Sequence, residues 1–324
     1  MTIARKHLVD PTSAGFYHCT NRCVRRTFLC GFDEASGRDY SHRKDWIENR
    51  ILELAEIFSI EIFAYAVMSN HYHIVLYIDP NLPNTWSDDE IVEKWFRLYP
   101  SRLDLPQFAN QRAMRKSAIL NDEALLTVYR KRLGCLSWFM KRLNEPLAKQ
   151  CNKEDYCTGR FWEDRFTSQA LLDETAILSC MAYVDLNPVR ARITEKLEES
   201  HHTSIKKRID EVKDNSKTLN DKLIAVTQSS DKQLNIELGD YIALVEWTGQ
   251  SIIHPGKASI PQYIQPILQR LNLQPNHYLN QIVQMEKCYS RAIGTLDKLK
   301  GQAEKFNAKF LKGFKAAKLL YQNE

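Results

Sequence analysis

Two β-rich runs separated by a two-residue polar turn are the feature that most constrains the fold of this chain. Ile60–Met68 reads IEIFAYAVM, His71–Ile78 reads HYHIVLYI, and Ser69-Asn70 lies between them. Two such runs joined by a tight polar turn are typical of a β-hairpin. The sequence therefore predicts an antiparallel hairpin that Asp79-Pro80 ends.

The flanking segments extend this hairpin into an α+β domain. Gly15–Val24 predicts a first strand and Lys44–Phe58 a helix with one apolar face. Arg160–Leu171 predicts a further strand, and Asp173-Glu174 begins a helix that Pro188 must end nearby. The order β–α–β–β–helices–β–α indicates an antiparallel sheet with helices on one face.

Composition divides the chain into three parts. Residues 1–200 form the predicted first domain, with a polar, mostly helical insertion at about 81–133. Residues 201–236 have no sustained apolar period and predict a linker or an exposed helix. Residues 237–324 predict a mostly helical C-terminal domain whose tail is locally basic.

Charge and hydropathy exclude several classes of protein. The formal charge is +5 over 324 residues, which is too small an excess to indicate nucleic-acid binding by itself. No apolar run is long enough for a secretory signal or approaches the ~18 residues of a membrane span. The sequence predicts a cytoplasmic protein with no membrane partner, whose eight cysteines are reduced.

His71 and His73 flank Tyr72 in the second run of the hairpin. Strand side chains alternate between faces, so both imidazoles lie on one face, roughly 7 Å apart, and Tyr72 points to the other. Two imidazoles on one face can bind a divalent ion and leave positions for oxygen ligands and substrate. Taken alone, the same pattern also fits two hydrogen-bonded or surface histidines without a metal.

Tyr183 and Asn187 lie four residues apart, directly before Pro188. On a helix this spacing places the two side chains on one face, about 6 Å apart. Tyrosine can form covalent intermediates, and a carboxamide oxygen can complete a metal site beside it. A structural alternative stays open, in which Tyr183 packs in a core and Asn187 caps the helix.

Together these residues resemble the HUH single-tyrosine transposases, in particular the REP-associated tyrosine transposase branch. The motifs that carry the resemblance are MSNHYHIVL, GRFWEDRF and YVDLNPVRA, with a looser match at YHCTNRC. They stand in the family's order and span roughly residues 14–195.

The resemblance implies a ferredoxin-like antiparallel sheet in which residues 1–200 are the catalytic domain. It implies that His71 and His73 bind Mg²⁺ or Mn²⁺, that Asn187 is the third ligand, and that Tyr183 is the nucleophile. Tyr72 stands where the family usually has a bulky apolar residue; because it faces away from the metal, we interpret it as a packing residue.

The implied function is metal-dependent cleavage and rejoining of single-stranded DNA through a 5′-phosphotyrosine, on a target that contains a hairpin. Two other functions stay open. One is a domesticated protein that binds hairpin DNA or RNA without cutting it, and the other is a metal protein that uses the two histidines alone. The resemblance also implies a bacterial, nucleoid-associated protein. The target sequence, the mobility of the element, and the choice between monomer and homodimer stay open.

Arginines near the motifs are candidate DNA contacts, since single strands are bound by phosphate neutralisation and base stacking. These candidates are Arg22, Arg25, Arg160, Arg165 and Arg190. Each of them also fits an ordinary surface or ion-pairing residue. For the C-terminal domain, contact with DNA and packing on the catalytic domain are both open.

Overall fold

The computed structural model describes residues 9–24, 30–33, 37–227, 232–254, 260–271, 273–306 and 308–320. Its strands are β1 (Gly15–Arg22), β2 (Phe32–Asp33), β3 (Arg38–Asp39), β4 (Ile60–Val67), β5 (His71–Ile78), β6 (Thr167–Leu171), β7 (Lys222–Ile224), β8 (Gln233–Glu237) and β9 (Ala292–Ile293). Its helices are α1 (His42–Ile57), α2 (Asp88–Leu98), α3 (Ala109–Leu120), α4 (Glu123–Leu133), α5 (Leu136–Glu154), α6 (Glu174–Asp185), α7 (Asn187–Arg190), α8 (Ser204–Lys213), α9 (Leu238–Ile253), α10 (Gln265–Arg270), α11 (Pro275–Cys288), α12 (Leu296–Lys305) and α13 (Phe314–Leu320).

Five strands form the main sheet, in the order β4-β5-β1-β6-β9. The first four pair in antiparallel fashion, and β9 adds to β6 in parallel. The order of the first four strands is that of a ferredoxin-like βαββαβ unit. The hairpin closes where Met68 N–H donates to the His71 carbonyl at 2.9 Å. The predicted α+β class is confirmed.

Helices cover both faces of the sheet, whereas the sequence predicted helices on one face. The first face is the one to which Tyr72 points, and there its hydroxyl donates to Asn144 Oδ1 of α5 at 2.7 Å. On the opposite face the ring of Tyr183, in α6, lies 5.6 Å from that of His73. Every residue from 176 to 185 is buried, so the apolar pattern of α6 did not indicate which side of the sheet it covers.

The insertion is helical and begins with a capped helix. The hydroxyl of Ser87 accepts from Glu90 N–H at 3.2 Å, and the Glu90 carboxylate accepts from Ser87 N–H at 2.8 Å. This reciprocal pair is a capping box, which satisfies two backbone donors at the start of α2. Helix α2 packs on α1, which ties the insertion to the first face of the sheet.

The strand predicted at Arg160–Leu171 is shorter in the structure, since β6 begins at Thr167. Trp162 makes an isolated bridge with Cys23, and its indole N–H donates to the Asn144 carbonyl at 3.0 Å. The large aromatic side chains of this segment pack toward α5, so the alternation that predicted a longer strand reflects packing on a helix.

The chain beyond residue 200 packs closely on the preceding part. Residues 201–236, predicted as a linker or an exposed helix, contain α8, which buries Ile205 and Arg208 and packs on β4. The Arg208 guanidinium donates to the carbonyls of Phe63 and Ile224, at 2.8 and 2.9 Å. The sequence predicted an exposed helix because arginine is usually a surface residue. Arg208 is instead buried, and its guanidinium is bonded to backbone carbonyls. Further along, β9 joins the main sheet and α11 packs on α6.

Among the described residues, no helix has both the length and the apolar character needed to cross a membrane.

Candidate active site

One face of the main sheet brings three histidines together. His73 of β5 pairs with Thr20 of β1, and paired residues of antiparallel strands share a face. Alternation along the strands places His71 beside His73, and His18 beside Thr20, on that same face. The structure therefore confirms the shared face of His71 and His73 and adds His18 to it.

Two of the three imidazoles are hydrogen-bonded to each other, and the third is bonded to a neighbouring asparagine. His18 Nδ1 lies 2.8 Å from Gln169 Oε1, and His18 Nε2 lies 2.9 Å from His73 Nδ1. His71 Nδ1 lies 2.6 Å from Asn70 Oδ1, and the rings of His71 and His73 are 5.0 Å apart. The Nε2 atom of His73 is buried without a hydrogen-bond partner among the described residues. No hydrogen bond from the described residues therefore uses this nitrogen.

Burial keeps these histidines uncharged. Burial, together with the nearby charges of Arg22 and Arg190, lowers the pKa of His71 to about 4, and Glu286 opposes this shift. Burial also lowers the pKa of His73 well below its usual value, and that of His18 less strongly. All three are therefore neutral at pH 7, which is the state in which imidazole binds a metal.

Tyr183 packs directly on this histidine group. Its ring centroid lies 5.6 Å from that of His73 and 6.0 Å from that of His18. Its hydroxyl donates to Glu286 Oε1 of α11 at 2.8 Å, and the Arg190 guanidinium lies 4.2 Å from the centre of its ring. Burial raises the pKa of Tyr183, Arg190 opposes that rise, and Glu286 adds to it.

Asn187 lies at the start of α7 and is buried. Its Nδ2 donates to the carbonyls of Tyr183 and Val184, at 3.3 and 3.4 Å. These bonds satisfy carbonyls at the end of α6, as the capping alternative predicted. Among the described residues, its Oδ1 receives one hydrogen bond, from Arg190 Nη1 at 3.4 Å. The amide oxygen is thus weakly engaged.

A cleft of about 450 Å³ opens over the histidines. Its charged lining residues are Arg22, Arg165, Lys312, Glu163, Asp164 and Glu286. Of the predicted DNA-contacting arginines, Arg22 and Arg165 thus line the cleft, and Arg190 lies over the tyrosine ring. Arg160 is exposed on the segment before β6 and does not line the cleft. Arg25 lies outside the described residues.

The residues of this site that were not predicted from the sequence include His18, Gln169, Glu286 and Lys312. For His18 a signal was present, since it stands in the YHCTNRC segment of a predicted strand and alternation allowed it to join the other histidines. For Glu286 and Lys312 no signal was present, because the pattern of the C-terminal helices does not indicate which of their residues will contact a site formed far earlier in the chain.

A second group of possible metal ligands lies beside Tyr65 of β4. Ligand atoms of Asp45, Glu48 and His202 are all within 4.8 Å of one another. His202 Nδ1 lies 2.7 Å from Glu48 Oε2, and the Tyr65 hydroxyl donates to Glu48 Oε1 at 2.6 Å. The group can hold a metal ion, although Glu48 is also hydrogen-bonded to His202 and Tyr65 without one.

Comparisons with known proteins give one distant structural match. No protein-family model matches the chain, and no curated protein matches it. Among solved structures, the chain is similar to a REP-associated tyrosine transposase bound to a REP hairpin, with a TM-score of 0.39 and 12% sequence identity. The match covers 73% of this chain and 97% of that chain. The function is therefore argued below from the residues of the site.

Proposed function

We propose that this protein is a metal-dependent single-stranded DNA endonuclease and strand transferase, a transposase that works through a 5′-phosphotyrosine at Tyr183. One observation carries the proposal: the Tyr183 hydroxyl donates to a carboxylate, while its ring contacts a guanidinium and two neutral imidazoles. A nucleophile, a proton acceptor and a cation beside unprotonated nitrogen ligands are the parts that covalent phosphoryl transfer requires.

The donor set fits a divalent metal ion. His73 offers a buried, unpartnered Nε2, and His71 lies beside it with its ring 5.0 Å away. We assign Mg²⁺ or Mn²⁺ to these two residues, with the weakly engaged Oδ1 of Asn187 as the third ligand. When bound there, the ion would supply Lewis-acid stabilisation of charge on the scissile phosphate.

The residues around Tyr183 supply the proton chemistry. Glu286 takes the proton from the hydroxyl as the Tyr183 oxygen bonds to phosphorus. The bond from phosphorus to the 3′ oxygen breaks, and that oxygen takes up a proton to leave as a 3′-OH. Arg190 stabilises the negative phenolate through its contact with the ring. Attack by a 3′-OH on the phosphotyrosine reverses these steps and rejoins the strands.

Basic and aromatic side chains next to the cleft suit a single strand. Arg22, Arg165 and Lys312 line the cleft and can neutralise phosphates. Arg165 also borders a groove along α5 that is lined by Trp162 and Phe166, where bases can stack. A hairpin in the target is proposed from the sequence resemblance, and the similar solved protein is bound to a REP hairpin.

A second candidate function is a protein that binds hairpin DNA or RNA without cutting it. The observation that favours it is the burial of Tyr183, whose exposed fraction is 1%. Burial raises the pKa of its hydroxyl, so little phenolate forms unless DNA binding or a conformational change exposes the side chain.

Labelled single strands from both flanks of the protein's own gene, incubated with the protein and Mn²⁺, distinguish the two functions. We expect a covalent protein–DNA band on a denaturing gel that disappears with chelator and in the Tyr183→Phe and His71→Ala variants. Tyr17→Phe is the matched control, since it removes a buried hydroxyl from the opposite face of β1. DNA retardation on a native gel without a covalent band on any strand would instead establish the non-cleaving function.

A further inference from the structure

Gln169, His18 and His73 form a continuous hydrogen-bonded chain across three neighbouring strands. The chain runs from Gln169 Oε1 to His18 Nδ1 at 2.8 Å, and from His18 Nε2 to His73 Nδ1 at 2.9 Å. The two imidazole rings lie edge to edge, with centroids 5.1 Å apart and planes 10° from parallel. Both histidines are buried, with exposed fractions of 2% and 1%. The proposed function uses His73 but leaves the other two residues without a role.

The amide oxygen at one end determines where each proton of the chain lies. A neutral imidazole has one donor and one acceptor nitrogen, and an amide oxygen only accepts. His18 Nδ1 must therefore carry the proton that is donated to Gln169, which leaves His18 Nε2 as an acceptor. His73 Nδ1 then donates to His18, and His73 Nε2 is left with a free lone pair.

The opposite polarity is disfavoured by the surroundings of His73. If the amide group of Gln169 were reversed, its NH₂ would donate to His18 and the proton of His73 would move to Nε2. That nitrogen has no acceptor among the described residues, and burying a donor without an acceptor is unfavourable.

We infer that Gln169 and His18 form a relay that holds His73 in the tautomer protonated at Nδ1, so that the Nε2 lone pair is ready to bind a metal ion. The inference rests on the proposed function, because that function assigns the metal to His73. Gln169 and His18 are positioning residues, since they act through the ring of His73. Partners that fix the second nitrogen of a ligating histidine typically change metal affinity by about 10–100-fold when they are lost.

The tautomer can be measured without metal or DNA. Long-range ¹⁵N–¹H correlation spectra of the metal-free protein distinguish a protonated ring nitrogen from an unprotonated one. We expect protonated Nδ1 and unprotonated Nε2 in both His18 and His73, and an altered pattern in Gln169→Leu. A wild-type His73 ring protonated at Nε2 would overturn the relay.

Metal affinity gives a second readout that does not depend on cleavage. Mn²⁺ titrations followed by electron paramagnetic resonance should show about 10–100-fold weaker binding for Gln169→Leu. Gln169→Glu keeps an acceptor at this position, so it should bind Mn²⁺ within about threefold of wild type. Ser168→Ala is the matched control, because the adjacent buried hydroxyl points to the opposite face and has no partner among the described residues.

Two results separate this inference from the proposed function. Unchanged Mn²⁺ affinity in Gln169→Leu would overturn the relay while leaving the metal site and DNA cleavage intact. A wild-type protein that has the expected tautomers, but binds no Mn²⁺ and forms no covalent DNA product, would overturn the proposed function and, with it, the metal role of the relay.

Discussion

The hydroxyl of Tyr183 is hydrogen-bonded to a carboxylate of α11. Glu286 accepts its hydrogen bond at 2.8 Å, and Arg190 lies on the ring from the other side. The carboxylate favours the neutral phenol in the resting protein, since it raises the pKa of Tyr183. In the proposed mechanism the same carboxylate takes the proton during attack, so one contact both keeps the tyrosine protonated and activates it.

We predict that Glu286→Gln slows formation of the covalent DNA product about 10²–10⁴-fold, the usual contribution of a general base. The amide preserves the size of the side chain and can still accept a hydrogen bond, but it cannot take the proton. Single-turnover rates on a denaturing gel measure the effect. Glu304→Gln is the control, since this glutamate is exposed on α12. A rate at or above that of wild type would show that Glu286 restrains the tyrosine without acting as its base.

His71 links the stability of the metal-free protein to pH. Burial lowers its pKa to about 4, whereas the pKa of a histidine in an unfolded chain is about 6.5. As the pH falls below 6.5, His71 becomes protonated in the unfolded chain but stays neutral in the folded protein. The free energy of unfolding therefore falls toward pH 4. His18 and His73, whose pKa values burial also lowers, add in the same direction.

We predict that His71→Gln reduces this acid sensitivity. Because one pKa unit corresponds to about 1.4 kcal/mol, the wild type should lose roughly 2–3 kcal/mol more than the variant between pH 6.5 and 4. Urea unfolding at a series of pH values in the presence of a chelator measures the difference. Parallel curves for the two proteins would mean that His71 is not desolvated as described.

Helix α6 is joined to α8 and α9 through one buried carboxylate. Asp185 accepts hydrogen bonds from the hydroxyl of Ser204, from Ile205 N–H at 2.9 Å and from the Tyr241 hydroxyl at 2.5 Å. Burial raises the pKa of Asp185 to about 6. It is also near the buried Arg208, whose charge it partly balances. The position of the tyrosine helix thus depends on residues that follow it in the chain.

We predict that Asp185→Ala lowers the free energy of unfolding by about 3–5 kcal/mol, because it leaves three buried donors without their acceptor and removes a negative charge near the buried Arg208. Urea unfolding at pH 7 measures this loss. Asp210→Ala removes a carboxylate that pairs with Lys206 on the outer side of α8, and should cost less than about 1 kcal/mol. Equal losses in the two variants would refute a special role for Asp185.

The C-terminal part of the molecule packs on the sheet face that carries the three histidines. Strand β9 extends the main sheet, α11 packs on α6, and Glu286 of α11 reaches Tyr183. Of the two interpretations of the C-terminal part that the sequence left open, these contacts favour packing on the first part. They also make the helical block a contributor to the proposed chemistry.

We therefore predict that the full chain unfolds in one cooperative transition. Urea curves followed by tryptophan fluorescence and by far-ultraviolet circular dichroism should coincide, as two-state unfolding requires. Trp95 reports on the insertion and Trp247 on α9, so Trp95→Phe and Trp247→Phe variants separate their signals. Transitions at two distinct urea concentrations would show that the two parts fold independently.

Local sequence patterns predicted several strands and helices of this protein, and one feature of the candidate site. The hairpin, the strand that precedes it and the helix at residue 174 follow from period-two and period-3.6 patterns and from turn residues, and these act over a few positions. The common face of His71 and His73 follows from the strand period alone. The motif resemblance then identified Tyr183 as the candidate nucleophile.

Only the tertiary structure decided which other groups surround those residues. Glu286 is 103 positions from Tyr183, and Gln169 is 151 positions from His18. No local periodicity relates residues at such separations, because their contact depends on strand order, register and the packing of α11 on α6. The side of the sheet that α6 covers was likewise undetermined, since a helix buried all around carries no polar face to orient it.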